Sequence, residues 1–125
     1  MAKAVLIVDD NASIRRVLCE AFKKEADFLV CGEAENGKEA VTKAYELQPD
    51  LIVLDLSMPV MNGLDAAREL KRIMPTVPVV MFSEYSNAFL EQEARSAGIS
   101  ALVAKSEHVS VLVEKAHSLL YDIAA

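Results

Sequence analysis

Three carboxylates, a hydroxyl and an ammonium stand directly after short apolar runs of this sequence. Residues 4–8 lead into Asp9 and Asp10, residues 51–54 into Asp55, residues 79–82 into Ser83, and residues 101–104 into Lys105. Three acids brought together repel one another, and without a counter-charge at least one carboxyl pKa must rise. A divalent cation relieves that repulsion. An all-oxygen donor set with no His or Cys nearby suits Mg²⁺ better than zinc or copper. A Mg²⁺ that keeps several waters leaves room for a phosphate, for which Lys105 is a point charge and Ser83 a hydrogen-bond donor. Asp55 is then a ligand, a nucleophile or both. Taken singly each residue has a plainer reading, since an Asp after a strand is usually a helix N-cap or turn residue. Such groups at four of five strand ends favour one shared metal and phosphate site.

That argument needs strands that end side by side. The runs at 4–8, 28–31, 51–54, 79–82 and 101–104 are rich in Val, Ile and Leu and mostly lack polar alternation, as strands covered on both faces do. Between them lie helical stripes: Ile14, Val17, Leu18, Ala21 and Phe22; Ala40, Val41, Ala44 and Leu47; Leu64, Ala67, Leu70 and Met74; Leu90, Ala94 and Ala97; and Val109, Leu112, Val113, Ala116, Leu119, Leu120 and Ile123. Asn36-Gly37 and Asn62-Gly63 precede stripes, Gly98 follows one, and Pro49, Pro75 and Pro78 fall in the gaps. The order β-α, five times over, implies an α/β doubly wound parallel sheet, a (βα)5 unit with right-handed crossovers. Ligands bind beyond the C-terminal ends of such strands, where the acids, Ser83 and Lys105 are expected. The second strand runs into Glu33 and brings no obvious group, which an outer place in the sheet explains.

The whole chain, 125 residues with 53% hydrophobic content, suits one domain, 1–125. Its formal charge of −6 argues against direct nucleic-acid binding, and its apolar content against disorder. The N-terminal apolar run is too short for a signal peptide or a membrane span. Cys19 and Cys31 do not make a disulfide framework, so the cytoplasm is the expected location and packing the expected role. The glycines Gly32, Gly37, Gly63 and Gly98 form no nucleotide-binding fingerprint. Arg15 and Arg16 read as a solvated helix face, and His108 and His117, nine apart on the last helical segment, as solvated residues.

The residues Val8-Asp9-Asp10, the stretch Asp55-Leu56-Ser57-Met58-Pro59 with Met61-Asn62-Gly63, Ser83 and Lys105 closely resemble the receiver domain of bacterial two-component response regulators, the chemotaxis-type phosphoacceptor. The resemblance covers essentially the whole chain and implies a flavodoxin-like sheet ordered 2-1-3-4-5. It implies Asp55 as phosphoacceptor, Asp10 as a direct Mg²⁺ ligand, Asp9 acting largely through water, and the Ser57 backbone carbonyl completing the ligands. Lys105 would pair with the phosphoryl group and the Ser83 hydroxyl would move to bond it. The implied donor is a histidine kinase or phosphotransfer protein. The implied output surface is the face of helix 4, strand 5 and helix 5, to which Val111 and Tyr121 would add, with a homodimer as one form of it.

Three positions depart from the family pattern. Leu102 stands where receivers usually carry Tyr or Phe three residues before the Lys. Ser106 replaces the Pro that normally follows the Lys through a cis bond; a cis non-proline bond costs ~3–4 kcal/mol, so either the site locks it or the loop is rearranged. Glu84, with Tyr85 after it, replaces the usual small residue and would slow access of a donor. Leu102 and Ser106 fit an alternative, a phosphorylation-independent interaction module. A Mg²⁺-dependent aspartyl-phosphate phosphatase resembling the haloacid dehalogenases would need a second Asp two residues after the nucleophile, where Ser57 stands.

Overall fold

The computed structural model describes residues 2–85 and 87–121. Strands β1 (Lys3–Val8), β2 (Phe28–Ala34), β3 (Leu51–Leu54), β4 (Val79–Ser83) and β5 (Ala101–Ala104) alternate with helices α1 (Ala12–Lys23), α2 (Gly37–Leu47), α3 (Gly63–Ile73), α4 (Ala88–Ser96) and α5 (Val109–Tyr121). The strands form one parallel sheet in the order β2-β1-β3-β4-β5, the flavodoxin-like arrangement expected.

Successive strand residues point to opposite faces, so each apolar run serves two cores. Leu6, Val8, Ile52, Leu54 and Met81 pack with Ala40, Ala44, Ala66, Ala67, Leu70 and Ala94, beneath α2, α3 and α4. Val5, Ile7, Leu51, Val53, Val80 and Phe82 pack with Leu18, Cys19, Phe22, Leu112 and Ala116, beneath α1 and α5. This double covering is why the runs carry almost no polar residues. Four helices begin at an Asn whose side chain accepts backbone N–H groups of the first turn: Asn11, Asn36, Asn62 and Asn87.

The structure corrects several details. β2 continues three residues beyond its apolar run, because Gly32, Glu33 and Ala34 pair with Leu6, Ile7 and Val8 after a register shift. As an edge strand it tolerates the polar Glu33. In α1, Val17 is 51% exposed, while Cys19 fills the core position instead. His108 precedes α5 rather than lying on it, and its Nδ1 accepts the Ser110 N–H at 3.1 Å. The fifth stripe is present as far as Leu120; Ile123 lies outside the described residues. Among the described residues no peptide bond is cis, so the chain leaves β5 through a trans turn closed by Glu107 N–H to the Ala104 carbonyl, 3.0 Å. No helix among them is long and apolar enough to cross a membrane.

Candidate functional site

The sheet brings Asp9, Asp10, Asp55, Ser83 and Lys105 to one edge. Strand pairing extends past the strand ends: Asp9 N–H donates to the Ala34 carbonyl at 3.1 Å, Asp55 N–H to Val8 at 3.0 Å, and Lys105 N–H to Ser83 at 2.7 Å. Backbone hydrogen bonds therefore fix where the Asp9, Asp55, Ser83 and Lys105 side chains start. One carboxylate oxygen from each of Asp9, Asp10 and Asp55 lies within 4.8 Å of the others. Asp9 and Asp55 are buried, 1% and 5% exposed, while Asp10 is open to solvent.

Lys105 is the counter-charge. Its Nζ lies 3.0 Å from Asp9 Oδ2 and 3.0 Å from Asp55 Oδ1. One ammonium does not balance three carboxylates. Burial, opposed by the Lys105 hydrogen bond and reinforced by Asp9 and Asp10, pushes the Asp55 carboxyl up to about 6. The rise expected for crowded acids is therefore present, although desolvation leads it and mutual repulsion is secondary. Burial alone would lower the Lys105 pKa, but its contacts with Asp9 and Asp55 outweigh burial and raise it. Lys105 is thus a permanent cation at neutral pH.

The site has room for a ligand. A cavity of about 350 Å³ is lined by the three acids with Ser57, Ser83, Glu84, Tyr85 and Lys105. Ser83 is fully buried, and its Oγ accepts the Tyr85 N–H at 3.0 Å, leaving the hydroxyl proton free to donate. Glu84 and Tyr85 are exposed at the rim, as a residue controlling access must be. Asp9 Oδ1 accepts the Asn11 N–H at 2.9 Å, whereas Asp9 Oδ2 is buried with no well-angled donor and meets Lys105 mainly as a charge. A buried oxygen short of donors, inside a cluster of three hard oxygen groups, fits a cation such as Mg²⁺.

The loop after β3 holds Asp55 and Ser57 against this cavity. Gly63 N–H donates to the Leu56 carbonyl at 2.7 Å, and a Cβ on Gly63 would fall 2.2 Å from the Asp55 carbonyl oxygen. Only glycine permits α3 to begin that close to the Asp55 backbone. In the same loop Val60 has φ +69° and is 78% exposed, an unfavourable left-handed conformation for a β-branched residue.

Several residues stand otherwise than their spacing implied. Arg15 is not a solvated helix residue: its Nη1 donates to the Asp9 carbonyl at 2.6 Å and its Nε pairs with Glu33 at 3.1 Å. A helical stripe carries no signal for this, since the partners come from two other elements. His117 Nε2 lies 3.0 Å from Asp27 Oδ2 and its ring stacks on Tyr121, whose hydroxyl donates to the Asp27 carbonyl at 2.6 Å. Tyr121 is thus tied to the segment before β2, away from the α4–β5 side. Burial pushes both Cys19 and Cys31 thiols up, so they are poor nucleophiles, in keeping with packing. Leu102 is half-buried and lines a cleft with Ala94, Arg95 and Lys115 between α4, β5 and α5.

An acid cluster with a lysine at the C-terminal edge of a flavodoxin-like sheet forms a site suited to a cation and a phosphate. The family model of the response regulator receiver domain matches residues 5–117, and the chain belongs to that family, whose standard function is phosphorylation-based switching in two-component signalling. It is 41% identical to the chemotaxis protein CheY of Thermotoga maritima over 114 residues, 91% of this chain and 94% of that protein. It is 42% identical over 125 residues to a protein-glutamate methylesterase/protein-glutamine glutaminase of Hahella chejuensis, covering 98% of this chain but 32% of that protein. The chain therefore spans about a third of that relative's length. The response regulator domain of Thermotoga maritima CheB has a TM-score of 0.88 to it at 30% identity, each chain covered over 100%. A receiver domain is a signalling module, and this family binds Mg²⁺ at its acidic pocket.

Proposed function

We propose that Asp55 is the phosphoacceptor of this receiver, with Lys105 and Ser83 serving the incoming phosphoryl group and Asp9, Asp10, Asp55 and the Ser57 backbone carbonyl holding Mg²⁺. The observation that carries the reading is the meeting of three carboxylates within 4.8 Å, with Lys105 3.0 Å from Asp55 Oδ1. With its carboxyl raised only to about 6, Asp55 remains mostly ionised at pH 7 and so available as a nucleophile. One Asp55 carboxylate oxygen forms the new O–P bond as the donor's N–P bond breaks, and the electron pair stays on the donor's imidazole nitrogen. Lys105 neutralises a phosphoryl oxygen, and Ser83 turns its free hydroxyl proton towards another. A bound Mg²⁺ would supply further charge neutralisation on the transferring group. Catalysis is then positioning and electrostatics, with no general base required.

The donor is a phosphohistidine on a histidine kinase or phosphotransfer protein. The output partner, an effector, an attached domain or a second copy, would read the face of α4, β5 and α5. Residues 1–125 act as one receiver domain, and the unreactive thiols suit a reducing cytoplasm. Leu102 removes the usual aromatic partner of the hydroxyl, which leaves Ser83 at the end of β4 and Lys105 after β5 as the groups that would couple the phosphoryl group to that face.

The test is a titration with beryllium fluoride and Mg²⁺ followed by amide NMR. Shifts at Asp55, Ser83, Lys105 and the α4 face in the wild type, absent in Asp55→Asn, are expected. Mg²⁺ binding with no further response to beryllium fluoride would instead support the phosphorylation-independent interaction module that Leu102 and Ser106 favour.

A further inference from the structure

We propose that Arg15 is a positioning residue that braces the Asp9–Asp10 turn for divalent-cation binding, and that Glu33 holds Arg15 in place. The proposal rests on the Mg²⁺ reading above. Asp9 is gripped on every polar group: its N–H by the Ala34 carbonyl, Oδ1 by the Asn11 N–H, Oδ2 by the Lys105 charge, and its carbonyl by Arg15 Nη1 at 2.6 Å. The last of these bonds acts on the peptide unit joining Asp9 to Asp10. Asp10 itself is exposed, so that peptide unit is what aims its carboxylate into the cluster.

Arg15 reaches the carbonyl from the first turn of α1, and its side chain is only 16% exposed. A half-buried cation beside a cation site is a liability unless it is neutralised. Glu33, from the far end of β2, does this at 3.1 Å from Arg15 Nε. The Glu33 carbonyl in turn accepts from Lys43 of α2, and Lys43 pairs with Glu39 at 3.2 Å. The strand that brought no obvious group to the site thus supplies the brace behind it. The planar guanidinium uses two nitrogens on two partners at once, which a lysine ammonium does not reproduce in one geometry.

The two roles open to Arg15 have opposite signs. A guanidinium acting only as a nearby positive charge repels Mg²⁺, and its removal tightens binding. A brace orients a ligand, and loss of such outer partners weakens metal binding by about ten- to hundred-fold. Mg²⁺ titrations of wild type, Arg15→Met, Arg15→Lys and Glu33→Gln, read by the Asp10 and Asp55 amide shifts, decide between them. Expected are at least tenfold weaker binding in Arg15→Met, partial rescue in Arg15→Lys, and a smaller loss in Glu33→Gln, all with wild-type amide dispersion elsewhere. Unchanged or tighter Mg²⁺ binding in Arg15→Met overturns the proposal. So does a general loss of dispersion in Arg15→Met with Glu33→Gln binding as wild type, which would make Arg15 a folding residue. A wild type that binds no Mg²⁺ refutes the metal reading itself, and the brace falls with it.

Discussion

Replacing Asp55 by Asn should stabilise the protein, and by an amount that depends on pH in a defined way. The Asp55 carboxyl is raised from 3.8 to about 6, chiefly by burial. Below about pH 3 the acid is protonated in both folded and unfolded chains and costs nothing. Between pH 4 and 6 the unfolded chain loses this proton and the folded chain keeps it, so stability falls as pH rises. At 1.36 kcal/mol per pKa unit the loss is complete near pH 7 at about 3 kcal/mol. Asn stands in for the neutral acid and escapes the loss. Urea unfolding without divalent cations, from pH 4 to 8, should show the variant only about 0.5 kcal/mol more stable than wild type at pH 4 and about 3 kcal/mol more stable at pH 7. Mg²⁺ at ten times its dissociation constant should restore about 1.4 kcal/mol to the wild type and less to the variant, narrowing the gap. A gap independent of pH, or a variant less stable at pH 7, would refute the reasoning that Asp55 is held under electrostatic strain.

Other consequences can be checked on the same protein. Lys105→Met should raise the Asp55 pKa above its wild-type value, because both the hydrogen bond and the charge that lower it are removed; carboxyl carbon NMR measures this, and an unchanged value would contradict the 3.0 Å pairing. Val60→Asn should add about 1 kcal/mol of stability in urea unfolding, since an exposed side chain at φ +69° loses no packing and Asn tolerates that conformation. Gly63→Ala should cost about 2 kcal/mol or more and shift the Asp55 amide, because its Cβ would meet the Asp55 carbonyl. Glu84→Ala should speed phosphorylation by acetyl phosphate; an equal or slower rate would mean that Glu84 does not guard the cavity it lines.

Much of this was legible in the letters for a physical reason. A parallel sheet buried on both faces must be written in continuous apolar runs, and the residue that ends each run must stand at the ligand-binding edge. Asp9, Asp10, Asp55, Ser83 and Lys105 were therefore placed by chain order alone. Contacts between elements left no such trace. Arg15 looked like any basic residue on a helix face until Glu33 and the Asp9 carbonyl met it in space. His117 and Asp27 are ninety positions apart, and nothing local links them. The extension of β2 to Ala34 was hidden because an edge strand need not be apolar on both sides. Spacing alone also did not explain Gly63; its reason is the Asp55 carbonyl against which α3 begins.

The central claim, that Asp55 carries the phosphoryl group, has a direct chemical test. The protein is treated with acetyl phosphate and Mg²⁺, reduced with borohydride, and mapped by peptide mass spectrometry, because an aspartyl phosphate is reduced to homoserine where it formed. Homoserine at position 55 in the wild type, and none in Asp55→Asn, is the expected result. Homoserine at another acid, or none at all from protein shown to bind Mg²⁺, would contradict the account.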